Sequence, residues 1–188
     1  MSEYTIDSES ALSDPVAADL VHIYDVSASA TKKLTIGALS GVGAGVVDTT
    51  ATSLTVTAAS HAGKTITISS ATPIAVVLPQ ATGTGNVYRF NIRVVATATS
   101  HTIKVANATD VMGGVVHVQT SATTTDVAAI VAAFRTSDSS DTISLNGTTL
   151  GGAKDDWFEI VDIKTGVFQV HGTTKATGTY ATPFSASV

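Results

Sequence analysis

Cysteine is absent from this chain, which excludes disulfide scaffolds, thiolate metal sites and cysteine nucleophiles together. Charge is scarce as well. Charged residues make up 13% of the sequence and the formal net charge is -5, whereas a phosphate-backbone binder needs clustered Lys and Arg. Nucleic acid is therefore not an expected partner. No long hydrophobic run exists either: the longest, Val127 to Phe134, is far short of the roughly 20 residues that cross a bilayer as a helix. Aromatic residues are 5% of the chain, too few for the girdles of an outer-membrane barrel. Residues Met1 to Ser10 contain Glu3, Asp7 and Glu9 but no Lys or Arg, the opposite of a secretory n-region. Synthesis in the cytoplasm, without membrane insertion, is the expectation. Heptads and repeats that would build a fibre shaft are not evident.

What is present is β-forming. Hydrophobic residues reach 44% and threonine occupies 31 of 188 positions, a β-branched residue suited to a half-exposed pleated surface. A chain of this length can bury roughly 70% of its unfolded surface, enough for one domain and an appendage. In Tyr88-Arg89-Phe90-Asn91-Ile92-Arg93-Val94 every second residue is apolar, the period of a strand with one buried face. Strands are expected at Leu54–Thr57, Thr65–Ser69, Ile74–Leu78, Tyr88–Val95, Thr102–Ala106, Val115–Gln119, Val127–Phe134, Thr142–Leu145, Trp157–Ile163 and Val167–His171. At Val127–Phe134 a two-turn helix capped by Asp126 is the alternative. About ten short strands without long helices predict an all-β fold, an antiparallel sandwich or jelly-roll-like body over residues 49–188.

Residues 1–48 differ from that body. Asp19–Val26 and Lys32–Ile36 read as a small hairpin, and Gly41-Val42-Gly43-Ala44-Gly45 reads as a hinge. An isolated hairpin is marginal in water, so an extended N-terminal arm of this kind needs a surface to lie on. Elsewhere, Gln80 to Asn86, with Gly83 and Gly85, is expected to reverse the chain between antiparallel strands. Lys164-Thr165-Gly166 is expected to close a tight hairpin. The tail beyond Pro183 is expected to be extended and unpaired.

Chemical motifs are few. Gly41–Gly45 lacks the helix that a phosphate cradle requires. Asp155, Asp156, Glu159 and Asp162 form the only acidic cluster, yet strand alternation splits Glu159 from Asp162 and the spacing matches no calcium loop. They are read as solvated charges, which leaves a glycan-degrading enzyme without its pair of converging carboxylates. His22, His61, His101, His117 and His171 lack paired spacing and are read as half-exposed strand residues. No serine sits in a nucleophile elbow. Asn107-Ala108-Thr109 and Asn146-Gly147-Thr148 match a glycosylation sequon that a threonine-rich chain produces by chance, and Asn146-Gly147 is better read as a turn. Trp157, the only tryptophan, could stack on a sugar, although a core or interface role is the more common use of the residue. No catalytic residue, cofactor or metal site is expected.

The succession LPQATGTGNVYRFNI, IKVANATDVMGG, DTISLNGTTLGGAKDDWFEIVDIKTGVFQVHG and ATGTYATPFSAS resembles a β-rich module of structural proteins in tailed-bacteriophage virions. DLVHIYDVSASATKKLTIGAL is similar to the attachment segment in front of phage appendage domains. The resemblance implies a homotrimeric capsid cement or head decoration protein on the virion surface, made in the host cytoplasm, with the major capsid protein of the same phage as partner. It further implies Leu20, Ile23, Tyr24, Leu34, Ile36 and Leu39 of the arm as capsid contacts. A head or tail fibre subunit, or an adhesin recognising the host surface, is the alternative.

Overall fold

In the computed structural model of the protein, residues 20–25, 30–35, 45–120, 131–177 and 179–188 are described, the first two segments as backbone. The chain divides into two compact units, Met1–Val42 and Gly43–Val188. The division falls slightly ahead of the boundary read from sequence, because Val46–Thr49 is a strand of the larger unit.

The small unit contains β1 (Leu20–Asp25) and β2 (Ala30–Thr35), paired antiparallel with Leu20 opposite Thr35 and Asp25 opposite Ala30. The large unit is mostly β, with two mixed sheets of seven and five strands. In chain order these are β3 (Val46–Thr49), β4 (Ser53–Thr55), β5 (Thr65–Ile68), β6 (Ala75–Val77), β7 (Val87–Ile92), β8 (His101–Lys104), β9 (Val111–Thr120), β10 (Val131–Arg135), β11 (Thr142–Leu145), β12 (Trp157–Lys164), β13 (Val167–Ala176) and β14 (Phe184–Ser185). One helical turn, α1 (Ala58–His61), is capped by Thr57, whose hydroxyl accepts from Ser60 N.

Pairing is not uniformly antiparallel, as the sequence reading expected. The seven-stranded sheet runs β10-β9-β13-β12-β7-β5-β3 and the five-stranded sheet β14-β11-β8-β6-β4. Between β3 and β8 the chain alternates between the sheets, and β3-β5-β7 and β4-β6-β8 stack in parallel. This half is a short parallel coil of three passes. Backbone bonds follow the turns as well as the strands: Ser69 N donates to Thr49 O and Arg93 N to Ile68 O, while Ala75 N donates to Thr52 O and Thr102 N to Ile74 O. The Gln80–Asn86 segment thus crosses between sheets, since β6 and β7 belong to different ones, and is not a reversal within one sheet. From β9 onward neighbours are mostly antiparallel, with β9-β13 the parallel exception.

Both sheets turn their apolar parity onto one core. Ile66, Phe90, Phe158 and Phe168 come from the larger sheet and Val76, Ile103, Ile143 and Leu145 from the smaller, all at 1% exposure or less. Phe90 and Phe158 stack with ring centroids 5.3 Å apart. Gly172 lies opposite Phe158, and a Cβ there would sit 2.4 Å from that of Phe158; glycine is what lets the strands close over the ring. Gly166 ends the β12–β13 hairpin at φ +78°, the left-handed geometry such a turn needs.

Two further expectations change. The tail beyond Pro183 is paired: β14 bonds to β11, with Ser144 N donating to Pro183 O and Asp141 N to Ser185 O. Proline supplies only its acceptor there, so the ladder loses nothing. At the ambiguous Val127–Phe134 segment, Val131–Arg135 is a strand against β9, and residues 127–130 lie outside the described residues.

Candidate functional site

The acidic cluster resolves into separate jobs. Asp156 and Asp162 are not solvated but buried at 2% and 3% exposure, because they share the inward parity of Phe158 and Ile160 on β12. The Asp162 carboxylate accepts from Thr82 N (3.0 Å), Gly83 N (2.7 Å) and Thr84 N (3.2 Å), and from the hydroxyls of Thr82 (3.2 Å) and Thr84 (2.7 Å). Burial alone would raise its pKa, but the donors led by the Thr84 hydroxyl outweigh that and hold it below the ordinary value. Gly83, at φ +78°, lets successive amides converge on it. Asp156 accepts from Gly152 N, Ala153 N and Lys175 N at 2.8–2.9 Å, while burial, the dominant effect, pushes its carboxyl up.

The remaining buried aspartates work the same way. Asp110 accepts from Ala81 N and Asn107 Nδ2. Asp141 accepts from Ser187 N, Val188 N and the Thr142 hydroxyl, which together overcome burial and lower its pKa. These four carboxylates each fasten a loop or the tail to a strand.

Histidines divide similarly. His101 and His61 are buried, at 0% and 8% exposure, contrary to the half-exposed reading. His101 Nδ1 accepts from Ile74 N at 3.1 Å and its Nε2 lies 3.2 Å from Val94 O, a pattern that demands the neutral tautomer with the proton on Nε2. Burial lowers its pKa, against the Val94 bond that raises it. His117 and His171 are exposed. No three His, Cys, Asp or Glu side chains among the described residues are placed to hold a metal ion. Asn107 and Asn146 form side-chain turns, accepting from Thr109 N and Thr148 N respectively.

On the outer face of the seven-stranded sheet the arrangement is different. Trp157 sits on β12, the central strand, with its side chain outward and 48% exposed. Its cross-strand neighbours are Asn91 on β7 and Thr173 on β13. In the adjacent row Glu159 pairs with Arg89 Nε at 2.8 Å and lies 3.5 Å from His171 Nε2. The His171 ring stands edge-on to Trp157 with centroids 6.2 Å apart. At the strand end Arg93 pairs with Asp155 at 2.5 Å. Sequence reasoning found Trp157 but not its company, which arises from non-local pairing.

Of the six arm residues, Leu20, Ile23 and Tyr24 fall on β1 and Leu34 on β2. Strand alternation puts positions 20 and 24 on one face of the hairpin, and 23 and 34, which is opposite Val21, on the other. Ile36 and Leu39 lie outside the described residues. Among the described residues no helix is long and apolar enough to cross a membrane. Compared with known proteins, the chain matches no family model, no curated protein and no solved structure.

Proposed function

We propose that this chain is a non-catalytic structural protein of a tailed-bacteriophage virion, a cement or decoration protein that binds the assembled head and stabilises it. The supporting observation is the use of its acids: Asp110, Asp141, Asp156 and Asp162, the buried carboxylates among the described residues, each hold backbone amides of a loop or the tail. A body built this way is a rigid block with its titratable groups committed to structure. In this reading the two sheets act as the sandwich-like body of a homotrimer, and the separate N-terminal unit spreads over the major capsid protein. Contacts that exist only on the assembled shell stabilise it by mass action. Neither nucleic acid nor membrane is engaged.

Deletion of residues 1–40 tests this directly. The truncated body should fold and fail to decorate particles, as seen by negative-stain imaging of capsids with and without it. Unchanged occupancy would refute the arm assignment, and a single-chain mass at micromolar concentration in sedimentation equilibrium would refute the trimer. The second reading, a fibre subunit or adhesin, is favoured by one observation, the outward Trp157 on the central strand.

A further inference from the structure

The surroundings of Trp157 contain a mismatch. A stable protein interface surrounds its aromatic anchors with an apolar, water-excluding patch. Here the positions around the indole are Asn91 and Thr173 across the strands, Glu159 two residues along, and Arg89 and His171 on the diagonals. All five are polar. One row further out on this side and the other stand Thr67, opposite Asn91, and His117, opposite Thr173. The indole is therefore an apolar plate whose immediate cross-strand, along-strand and diagonal neighbours are all hydrogen-bonding groups.

These groups are also held in place. Glu159, whose side chain is 19% exposed, is fixed between Arg89 and His171, and His171 buttresses the ring edge-on. Asn91 Nδ2 reaches Asp156 O at 3.4 Å, a long bond that a better acceptor can replace. The Glu159 charge is offset by Arg89, so the patch attracts no ion strongly. Asn91 and Thr173 stand about one strand spacing, roughly 5 Å, from Trp157, and Glu159, Arg89 and His171 one row further along.

From this geometry we infer that the Trp157 face binds a pyranose, the C–H face of the sugar lying on the indole and its hydroxyls bonding to Asn91, Glu159, Arg89 and Thr173. A pyranose is the common small ligand with one apolar face and a rim of hydroxyls that both donate and accept. That matches one apolar plate ringed by carboxylate, amide, guanidinium and hydroxyl groups. A second copy of the chain, the rival occupant, would have to desolvate this polar ring without an apolar core to compensate. The site is on the body and does not involve the N-terminal unit, so it stands or falls separately from capsid decoration.

Because Trp157 is the only tryptophan, its fluorescence and its single indole N–H resonance report on this site alone. The full chain is titrated with methyl α-glucoside, methyl β-galactoside, methyl α-mannoside, N-acetylglucosamine and trisaccharides of glucose and N-acetylglucosamine. At least one should perturb both signals saturably, with millimolar affinity, as expected for a single stacked ring. Asn91→Ala keeps the reporter and should weaken binding at least fivefold. Trp157→Ala, followed by the Thr173 and His171 amide resonances, should weaken it at least tenfold while the melting temperature stays near that of the parent. No saturable change with any of these sugars overturns the inference. So does binding that survives Trp157→Ala, or indole emission that shifts with protein concentration in the absence of sugar, which would mean a second copy covers the face.

Discussion

Replacing Asp162 tests how the body is held together more sharply than any apolar truncation. Five donor groups converge on its carboxylate, and a hydrogen bond to a charged acceptor contributes about 1.5–3 kcal/mol net. Simple addition would overstate the loss, because Thr82, Gly83 and Thr84 are exposed loop residues whose donors water can satisfy once the loop lifts. Three backbone bonds also survive, Gly85 N to Asp162 O, Asp162 N to Asn86 O and Gly166 N to Ala81 O. Asp162→Ala should therefore cost about 3–5 kcal/mol, the range for breaking a buried charged network, and Asp162→Asn about 2 kcal/mol. For a unit of this size that is roughly 6–20 °C in melting temperature for Ala. Urea unfolding with an unchanged m-value is the assay of choice. The pH dependence supplies a second reading: the folded pKa lies below the ordinary 3.8, so the stabilisation is full above about pH 4 and fades as pH falls through the folded value. The gap between parent and Asp162→Asn should close in acid. A cost under 1 kcal/mol for Ala, or a gap unchanged from pH 6 to pH 2.5, would refute the reasoning.

Three more outcomes follow from buried polar and steric detail. His101, with its pKa lowered from 6.5 mainly by burial, favours folding fully above about pH 6.5 and progressively less as pH falls toward its folded value; ¹⁵N spectra should show the neutral ring with Nδ1 unprotonated and a titration midpoint below 6.5, and a midpoint at or above 6.5 would contradict the Ile74 bond. Thr174 Oγ1 is buried without a hydrogen-bond partner among the described residues, so Thr174→Val should be neutral or stabilising by up to about 1 kcal/mol in urea unfolding. A loss beyond that would mean the hydroxyl is satisfied. Gly172→Ala places a methyl 2.4 Å from Phe158 Cβ and 2.6 Å from Trp157 O, and overpacking against backbone should cost about 2–4 kcal/mol and lower the melting temperature accordingly.

Strand positions were legible because a period of two is local information. Tyr88, Phe90 and Ile92 are buried with Arg89 outside, as the alternation required, and Thr142–Leu145 begins and ends where the pattern does. Pairing direction was not legible, since the same alternation serves parallel and antiparallel neighbours alike. The three passes of the coil do share a pattern, with Val47, Ile66 and Phe90 at corresponding positions in one sheet and Leu54, Val76 and Ile103 in the other. Loops of unequal length spread those positions 19 then 24 residues apart in the first set and 22 then 27 in the second, so no fixed period emerges. β3 was hidden because Asp48 and Thr49 stand where the next pass has Thr67 and Ile68. The buried aspartates had a readable signal: Asp156, Phe158, Ile160 and Asp162 share one parity, and two acids on a core-facing parity, one of them facing a Gly-Thr loop, point to amide anchors instead of solvated charges.

Low charge in a chain of short strands raises the question of what guards the sheet edges, since unpaired edges invite pairing with other chains. The four outer strands answer it individually. β3 has Asp48 facing outward, its carboxylate bonded to the hydroxyls of Thr67 and Ser69 on the neighbouring pass, and desolvating that charge would be costly for an incoming strand. β10 ends in exposed Arg135, and β14 is two residues long. β4, three residues of Ser-Leu-Thr, and β14 carry no charge, and two or three residues offer too short a ladder to hold a partner without side-chain burial. A few charges placed on edges thus replace the many that a uniformly polar surface would need. Among the described residues each edge strand of the two large sheets is short or carries a charge, so faces and the N-terminal unit are the surfaces left for an oligomer. That narrows where the contact of the proposed trimer is to be sought: the outer face of the five-stranded sheet and the arm are the surfaces to mutate, while the Trp157 face, ringed by polar side chains, is the one the proposed trimer should leave open.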